Sequence, residues 1–456
     1  MEELDLVVVG AGTYEYPDFP MTIERFGIKP GQYIPGEVMH DYLKAYTCEF
    51  GIDQYLRLSA KVVSAEHKSE GGWMLEIESV REEQPFSQTR IMARRLIIAT
   101  GQLSEPLMPH IQGQEQYGRP VFHSRDFQKY RSTVDTAKRV TVFGGTKSGW
   151  DAHTELKKLK PTSSAMHTGT AFGIFNYETD FYEPIRNGTV QIHEKDLSHL
   201  SEGKVHLDDA EGTVLESDAF VAVTGWKPFS PLKFLPEGIE RKIGLPYIPN
   251  ASIDNSCPDE GLATCTALIE RADQEIQERF PGLKTPMKFN PNYRPLNETK
   301  AFRMPPHDAP SSRMDSHTPL MLYHFMVPGT AEFLRTKDLA FTGYSTNFSN
   351  GTCAHIQGLW ISAFFDGTLA RDPSSAITAA SSADGVDSHR KASCQAMTLD
   401  EVHWQTVLHN RFGKWRYPRD SGSKTPDFIF EAVPFMDMMM ADLGLDVHRK
   451  KGWFRE

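Results

Sequence analysis

Two stretches hold the residue types that can grip a phosphate group. Gly10-Ala11-Gly12 closes the apolar run Leu4–Val9, and Gly144-Gly145-Thr146-Lys147-Ser148-Gly149 closes the run Arg139–Phe143. Glycines at the end of a buried strand let the chain turn tightly and bring backbone N–H groups against a pyrophosphate. A helix that starts there adds its positive dipole end. In the second loop Thr146 stands where a glycine is usual. Its hydroxyl can still donate to a phosphate, and Lys147 adds a positive charge. A single glycine turn is a weak signal, because ordinary α/β proteins also end strands this way.

The surroundings of the two loops strengthen the reading. After the first come strand patterns at Lys61–Glu66 and Trp73–Ser79 around Gly71-Gly72, then Arg90–Ala99 running into Thr100-Gly101. After the second come Val190–Glu194, Lys204–Leu207, and Asp218–Val223 running into Thr224-Gly225. Apolar run, glycine loop, meander and Thr-Gly strand end occur twice, the mark of an internal duplication. The pattern predicts an α/β fold with two Rossmann-like dinucleotide-binding domains, each with a β-meander. Leu4–Val9 and Arg139–Phe143 should be central in two separate sheets. Helical spacing marks Glu37–Phe50, Glu260–Arg279 and Ala354–Leu369, and Leu339–Thr342 reads as a further strand. Thr13–Pro35 reads as loop, Pro228–Pro328 as a Pro-rich insertion, and the chain from Trp404 should fold back on the body.

Composition removes several classes of function. The 456 residues have a formal net charge of -11, which argues against nucleic-acid binding through phosphates. No apolar run is long enough for a membrane span, and the N-terminus has no signal-peptide pattern. The five cysteines form no CxxC pair, so neither a zinc site nor a disulfide framework is expected, and a reducing cytoplasm fits best. His307 and His317 lie in a Pro/Ser loop and are not read as metal ligands. His123 can line a cofactor cleft or simply be satisfied in a linker. No Gly-x-Ser-x-Gly elbow occurs. No catalytic residue stands out.

At this point a set of segments in fixed order resembles the flavin-containing monooxygenases, most closely the type used in fungal natural-product pathways. The segments are DLVVVGAG (Asp5–Gly12), TYEYPDFPM (Thr13–Met21), IIATG (Ile97–Gly101), VFHSRDF (Val121–Phe127), FGGTKSGWD (Phe143–Asp151), VTGW (Val223–Trp226), FTGY (Phe341–Tyr344), and RYP with PDFIF near the end. The resemblance implies an FAD domain at 1–131, an inserted NADPH domain at 132–331, and a return to the first domain at 332–456. It implies that NADPH reduces the flavin and that reduced flavin captures O2 as a C4a-(hydro)peroxide. That species oxygenates a small, largely apolar, secondary-metabolite-like substrate. Gly10, Ala11 and Gly12 would hold the FAD pyrophosphate. Gly144, Gly145, Thr146, Lys147 and Ser148 would hold that of NADPH. Thr100, Gly101, Thr224 and Gly225 would line the cofactor crossovers, and Asp18 would lie near the flavin ring.

Both dinucleotide-binding units look shortened. Glu15 takes the place of a third glycine, and Pro17 and Pro20 forbid the usual helix. Gly27–Glu37 is no strand, and Pro161 with a polar stretch follows the second loop. The active-site asparagine expected just ahead of Thr13–Met21 is absent. A shortened first unit predicts a weaker grip on FAD, with Glu15 repelling phosphate. The rival from another class is an impaired scaffold that keeps the flavoprotein shape. A flavin reductase or disulfide oxidoreductase is a third reading, against whose disulfide branch the missing CxxC counts.

Overall fold

The computed structural model describes residues 15–447 except 30–31, 33, 81–87, 102–104, 145–179, 181, 228–231, 250–257, 286–316, 346–348, 378–394, 418–427 and 429. The chain divides into two compact units. The first comprises Met1–Gly101, Ser230–Lys284 and Thr318–Glu456, and the second Gln102–Phe229 and Thr285–His317.

The first unit opens with a short helix α1 (Ile23–Phe26) and a longer α2 (Gly36–Glu49). Pro35 precedes α2, where its fixed φ suits a helix start. Tyr42 of α2 is buried against Phe19, Met21 and Ile28. An antiparallel meander follows: β1 (Ala60–His67), β2 (Trp73–Ser79) and β3 (Gln88–Ala93). Gly71 and Gly72, with φ of 98° and 86°, supply the turn between β1 and β2 that a side chain would strain. The third strand expected at Arg90–Ala99 is in fact two. The chain bends at Arg94-Arg95, and β4 (Leu96–Ile98) leaves the meander. The bend is anchored by the Arg95 guanidinium, which donates to the Phe365 carbonyl at 2.6 Å and stacks over the Phe365 ring.

The second unit begins with β5 (Glu105–Pro106), β6 (Val121–His123), helix α3 (Arg131–Thr136) and β7 (Val140–Phe143). A four-residue helix α4 (Glu183–Arg186) precedes a second meander, β8 (Asp196–Ser201), β9 (Lys204–Asp208) and β10 (Val214–Glu216). The strand expected at Val190–Glu194 is not formed; the meander starts at Asp196. Val190 is instead drawn into the turn after α4, its N–H donating to the Pro184 carbonyl. Strand β11 (Ala219–Ala222) lies between β6 and β7, parallel to both. Arg139–Phe143 was expected at the centre of its sheet. Among the described strands β7 is at the edge, and β11, buried at all four positions, is the centre. Val142 on β7 is 59% exposed, so one face of this strand lacks the cover a central strand would have. A last strand, β12 (Trp226–Lys227), pairs with β5.

The chain returns to the first unit with β13 (Lys233–Leu235), which adds to the free edge of β1 in parallel. Helix α5 (Glu240–Ile243) follows. The helix expected at Glu260–Arg279 is shorter: two 3-10 turns lead into α6 (Thr266–Arg279). The hairpin β14 (Leu322–Tyr323) and β15 (Val327–Pro328), helix α7 (Ala331–Thr336) and β16 (Leu339–Phe341) come next. Three helices close the unit: α8 (Asn350–Asp366), α9 (Leu399–Arg416) and α10 (Ala432–Asp442). Thr398 and Glu401 form a reciprocal cap at the start of α9. Trp360, Phe364, Val402, Phe435 and Met439 from these helices share one core with Phe325 and Val327, so the C-terminal segment is built into the unit. Among the described residues no helix is long and apolar enough to cross a membrane, and no group of three or more metal-binding side chains comes together.

Candidate functional site

In the first unit the candidate site forms where two parallel strands end together. β4 and β16 pair in register, Leu96 with Leu339 through Ile98 with Phe341, and run into Thr100-Gly101 and Thr342-Gly343. Open α/β sheets bind ligands outside the carboxyl ends of parallel strands. Gly101 and Gly343 have φ of 62° and 74°, and a Cβ on Gly101 would lie 3.7 Å from the Gly343 carbonyl oxygen. The two glycines therefore lie side by side at these ends, in ordinary contact. Thr100 Oγ1 lies 3.4 Å from the Tyr344 hydroxyl.

Helix α8 starts a few residues after Gly343 and brings Gln357 back to it. Gln357 is 1% exposed. Its Oε1 accepts from Thr342 Oγ1 at 2.9 Å and from the Gly343 N–H at 3.2 Å. Among the described residues its Nε2 has no hydrogen-bond partner, and neither does Oγ of the buried Ser345.

Asp18 reaches the same helix. Its carboxylate lies 3.6 Å from His355 Nδ1 on α8, with both side chains partly exposed. The loop that carries Asp18 is held by Tyr42, whose hydroxyl accepts from the Tyr16 N–H and donates to the Phe19 carbonyl. Burial pushes the Tyr42 hydroxyl up to about 12, so it stays a donor. Glu15, expected to face a phosphate, is committed elsewhere: its carboxylate accepts from the Met21 N–H at 2.6 Å and ties the loop to itself. Gly10, Ala11 and Gly12 lie outside the described residues.

In the second unit β7 ends at Gly144, whose φ is 98°. A Cβ there would sit 2.4 Å from the Val223 carbonyl oxygen, well inside contact distance. Gly145, Thr146, Lys147 and Ser148 lie outside the described residues. The neighbouring strand end is clamped to the framework. Thr224 Oγ1 donates to the Leu107 carbonyl, and the Leu107 N–H donates to the Gly225 carbonyl. His123 completes the clamp. Its Nδ1 accepts from the Arg125 N–H at 3.2 Å, which leaves Nε2 as the donor to the Gly225 carbonyl at 2.9 Å. Burial, the largest influence, holds its pKa below the usual histidine value against the pull of that carbonyl. His123 is thus a neutral latch on the strand end.

Gly144→Ala is expected to destabilise the second unit by about 3 kcal/mol or more, from overlap with Val223 and a strained φ together. Gly225→Ala is the control. It has positive φ but open space around a Cβ, so it bears only the backbone strain, about 1–3 kcal/mol. Thermal melts of the two variants check this; equal losses would show that the close approach at Gly144 does not matter.

Sequence reasoning named the two Thr-Gly strand ends and Asp18 but not Gln357, Ser345 or His355. One signal for Gln357 was available: an amide inside an otherwise apolar helical pattern (Ile356, Leu359, Trp360).

Comparison with known proteins fits this geometry. Residues 32–248 match the family model for the pyridine nucleotide-disulphide oxidoreductases. An FAD-dependent monooxygenase of Pyrenophora dematioidea is 23% identical over 96% of this chain and 89% of its own length. Another, from Alternaria brassicicola, is 23% identical over 97% of this chain and 82% of its own. The alignment with the Pyrenophora protein runs over 555 positions, more than the 456 residues here, so that relative has segments this chain lacks. The fold is similar to that of the S-allyl-L-cysteine S-oxygenase from Allium sativum. Its TM-score is 0.50 at 12% identity, over 98% of this chain and 74% of that one. Paired parallel strand ends, two meanders and the family match define an oxidoreductase of the two-dinucleotide α/β class. Within it, the chain is similar along almost its whole length to FAD-dependent monooxygenases of fungi.

Proposed function

We propose that this protein is an FAD-dependent monooxygenase that takes electrons from NADPH and places one atom of O2 in a small, largely apolar substrate. The observation that carries the reading is the joint end of β4 and β16. Two glycines there stand beside a buried amide whose donor is unused among the described residues. A polar group left without a partner in a buried place calls for a ligand or water. The first unit is the FAD body, with Gly10, Ala11 and Gly12 for the pyrophosphate and Thr100, Gly101 and Gly343 beside the cofactor. The second is the NADPH domain, with Gly144, Gly145, Thr146, Lys147 and Ser148 as its anion loop and Thr224 and Gly225 at its crossover. FAD, when bound, supplies the redox chemistry and the oxygen transfer. The chain's own residues position it: the Tyr42 clamp holds Asp18 against His355, and His123 holds the second strand end in place. The small apolar substrate class rests on the resemblance to the natural-product type.

The test is the visible spectrum of the purified chain with and without added FAD, followed by NADPH titration. Flavin absorption that stays with the protein, and NADPH consumption coupled to O2 uptake, are expected. Lys147→Glu should weaken NADPH binding about 10- to 100-fold, the effect of losing one charge-assisted contact. A chain that takes up no FAD when it is added defeats the reading. NADPH affinity that ignores both Lys147→Glu and added salt removes the loop from it.

A further inference from the structure

The carboxamide of Gln357 has only one possible orientation. The Gly343 N–H is a fixed donor, and an NH2 group cannot accept a hydrogen bond. The atom facing Gly343 and Thr342 must therefore be Oε1. The NH2 is then turned away from both, yet covalent geometry keeps it within about two ångströms of Oε1. It remains beside the carboxyl ends of β4 and β16, on a residue 1% exposed, with no partner among the described residues. An unused donor in a buried place is costly unless something accepts from it. The strand ends it borders are where an α/β sheet receives its ligand. The amide's oxygen already shapes the Thr342-Gly343 turn, which leaves the NH2 end of the same side chain for a second task.

We propose that Gln357 is a cofactor-reading residue whose Nε2 donates a hydrogen bond to an acceptor oxygen of FAD. This rests on the flavin reading above. The arrangement makes Gln357 a positioning residue with two separable duties, one for each end of its amide. A carboxylate in the same place keeps the acceptor for Thr342 and Gly343 but replaces the donor with an oxygen that repels the cofactor's. A thioether removes both.

The experiment compares Q357E and Q357M with the unaltered full chain at pH 8.5, where the new carboxyl is ionised. FAD dissociation constants are read from flavin fluorescence, and thermal melts are run on the FAD-free proteins. Q357E should bind FAD about 10- to 100-fold more weakly while its FAD-free melting temperature stays near that of the unaltered chain. Q357M should lose both affinity and melting temperature. Unchanged FAD affinity in Q357E overturns the proposal. So does an affinity loss in Q357E that comes with as large a drop in melting temperature as in Q357M, because the amide would then only hold the turn. An unaltered chain that takes up no FAD overturns the flavin reading and this proposal together. One that binds FAD, is weakened by Q357E and yet consumes no NADPH supports the assignment of Gln357 and defeats only the monooxygenase reading.

Discussion

Replacing Asp338 with alanine is expected to lower the stability of the first unit by about 3–5 kcal/mol, the usual result of removing one partner from a buried charged network. Asp338 immediately precedes β16 and is almost fully buried. Its Oδ2 accepts from His67 Nε2 at 3.0 Å and from the Gly72 N–H at 2.7 Å, while Thr336 Oγ1 donates to Oδ1 at 2.9 Å. Its backbone carbonyl accepts from the Trp73 indole and the Leu96 N–H. One residue thus ties the β1–β2 turn to both strands whose ends make the candidate site. Without the carboxylate, His67 Nε2 and the Gly72 N–H lose their acceptor in a buried place. The melting temperature should fall by roughly 10 °C. Asp338→Asn keeps an acceptor and the volume, so it should lose less than half of that. FAD affinity should fall in Asp338→Ala too, because β16 leads directly to Gly343. A melting temperature within about 2 °C of the unaltered protein would show that the network is not a structural tie.

Acid is expected to destabilise the protein well above the range of ordinary carboxylates, through His409. Its ring, on α9, lies 5.4 Å from that of His324 in the β14–β15 hairpin, and its buried Nδ1 has no partner among the described residues. Burial, then the nearby His324 and Arg371, push its pKa from 6.5 down to about 3. His324 in turn lies 3.0 Å from the Asp442 carboxylate, which also accepts from the Trp360 indole. The sign follows from proton uptake. Between pH 6.5 and about 3 the unfolded chain binds a proton that the folded chain refuses. Stability is therefore complete above the unfolded value and declines as pH falls, by up to about 1.4 kcal/mol per pH unit for this one group. His123 and His403, also held low by burial, act in the same direction. Asp338 adds its share only at lower pH. Burial raises its pKa, but the bonds from His67, Gly72 and Thr336 more than offset this and hold it below the carboxylate value. Denaturant unfolding at pH 7, 6 and 5 should show a steady loss, and His409→Gln should flatten part of that slope. An unaltered slope in His409→Gln would mean that the ring does not titrate on unfolding.

The local elements were readable because each is dictated by neighbours in the chain. Gly71-Gly72 between two apolar-alternating stretches can only be a tight turn, and β1 and β2 follow from it. Helices α2 and α8 follow from their apolar spacing to within a few residues. The duplicated order of glycine loop, meander and Thr-Gly strand end likewise identified an α/β protein of two dinucleotide-binding units. Only the structure showed that the FTGY strand pairs with the strand that runs into Thr100-Gly101.

Tertiary structure decided what depends on distant partners. The break at Arg94-Arg95 exists because Arg95 finds the Phe365 carbonyl and ring, far along the chain. The edge position of β7 depends on β11 taking the centre of the sheet, although both strands read as apolar runs. Val190 reads as strand, yet its N–H is captured by the Pro184 carbonyl. The chemistry follows the same rule. Glycine loops announce themselves because a backbone conformation selects the residue type. Gln357, His355 and His409 matter only through what packs beside them. A glutamine becomes a candidate ligand donor when Gly343 fixes its amide and burial leaves the NH2 without water, and neither condition is written in the residues around it.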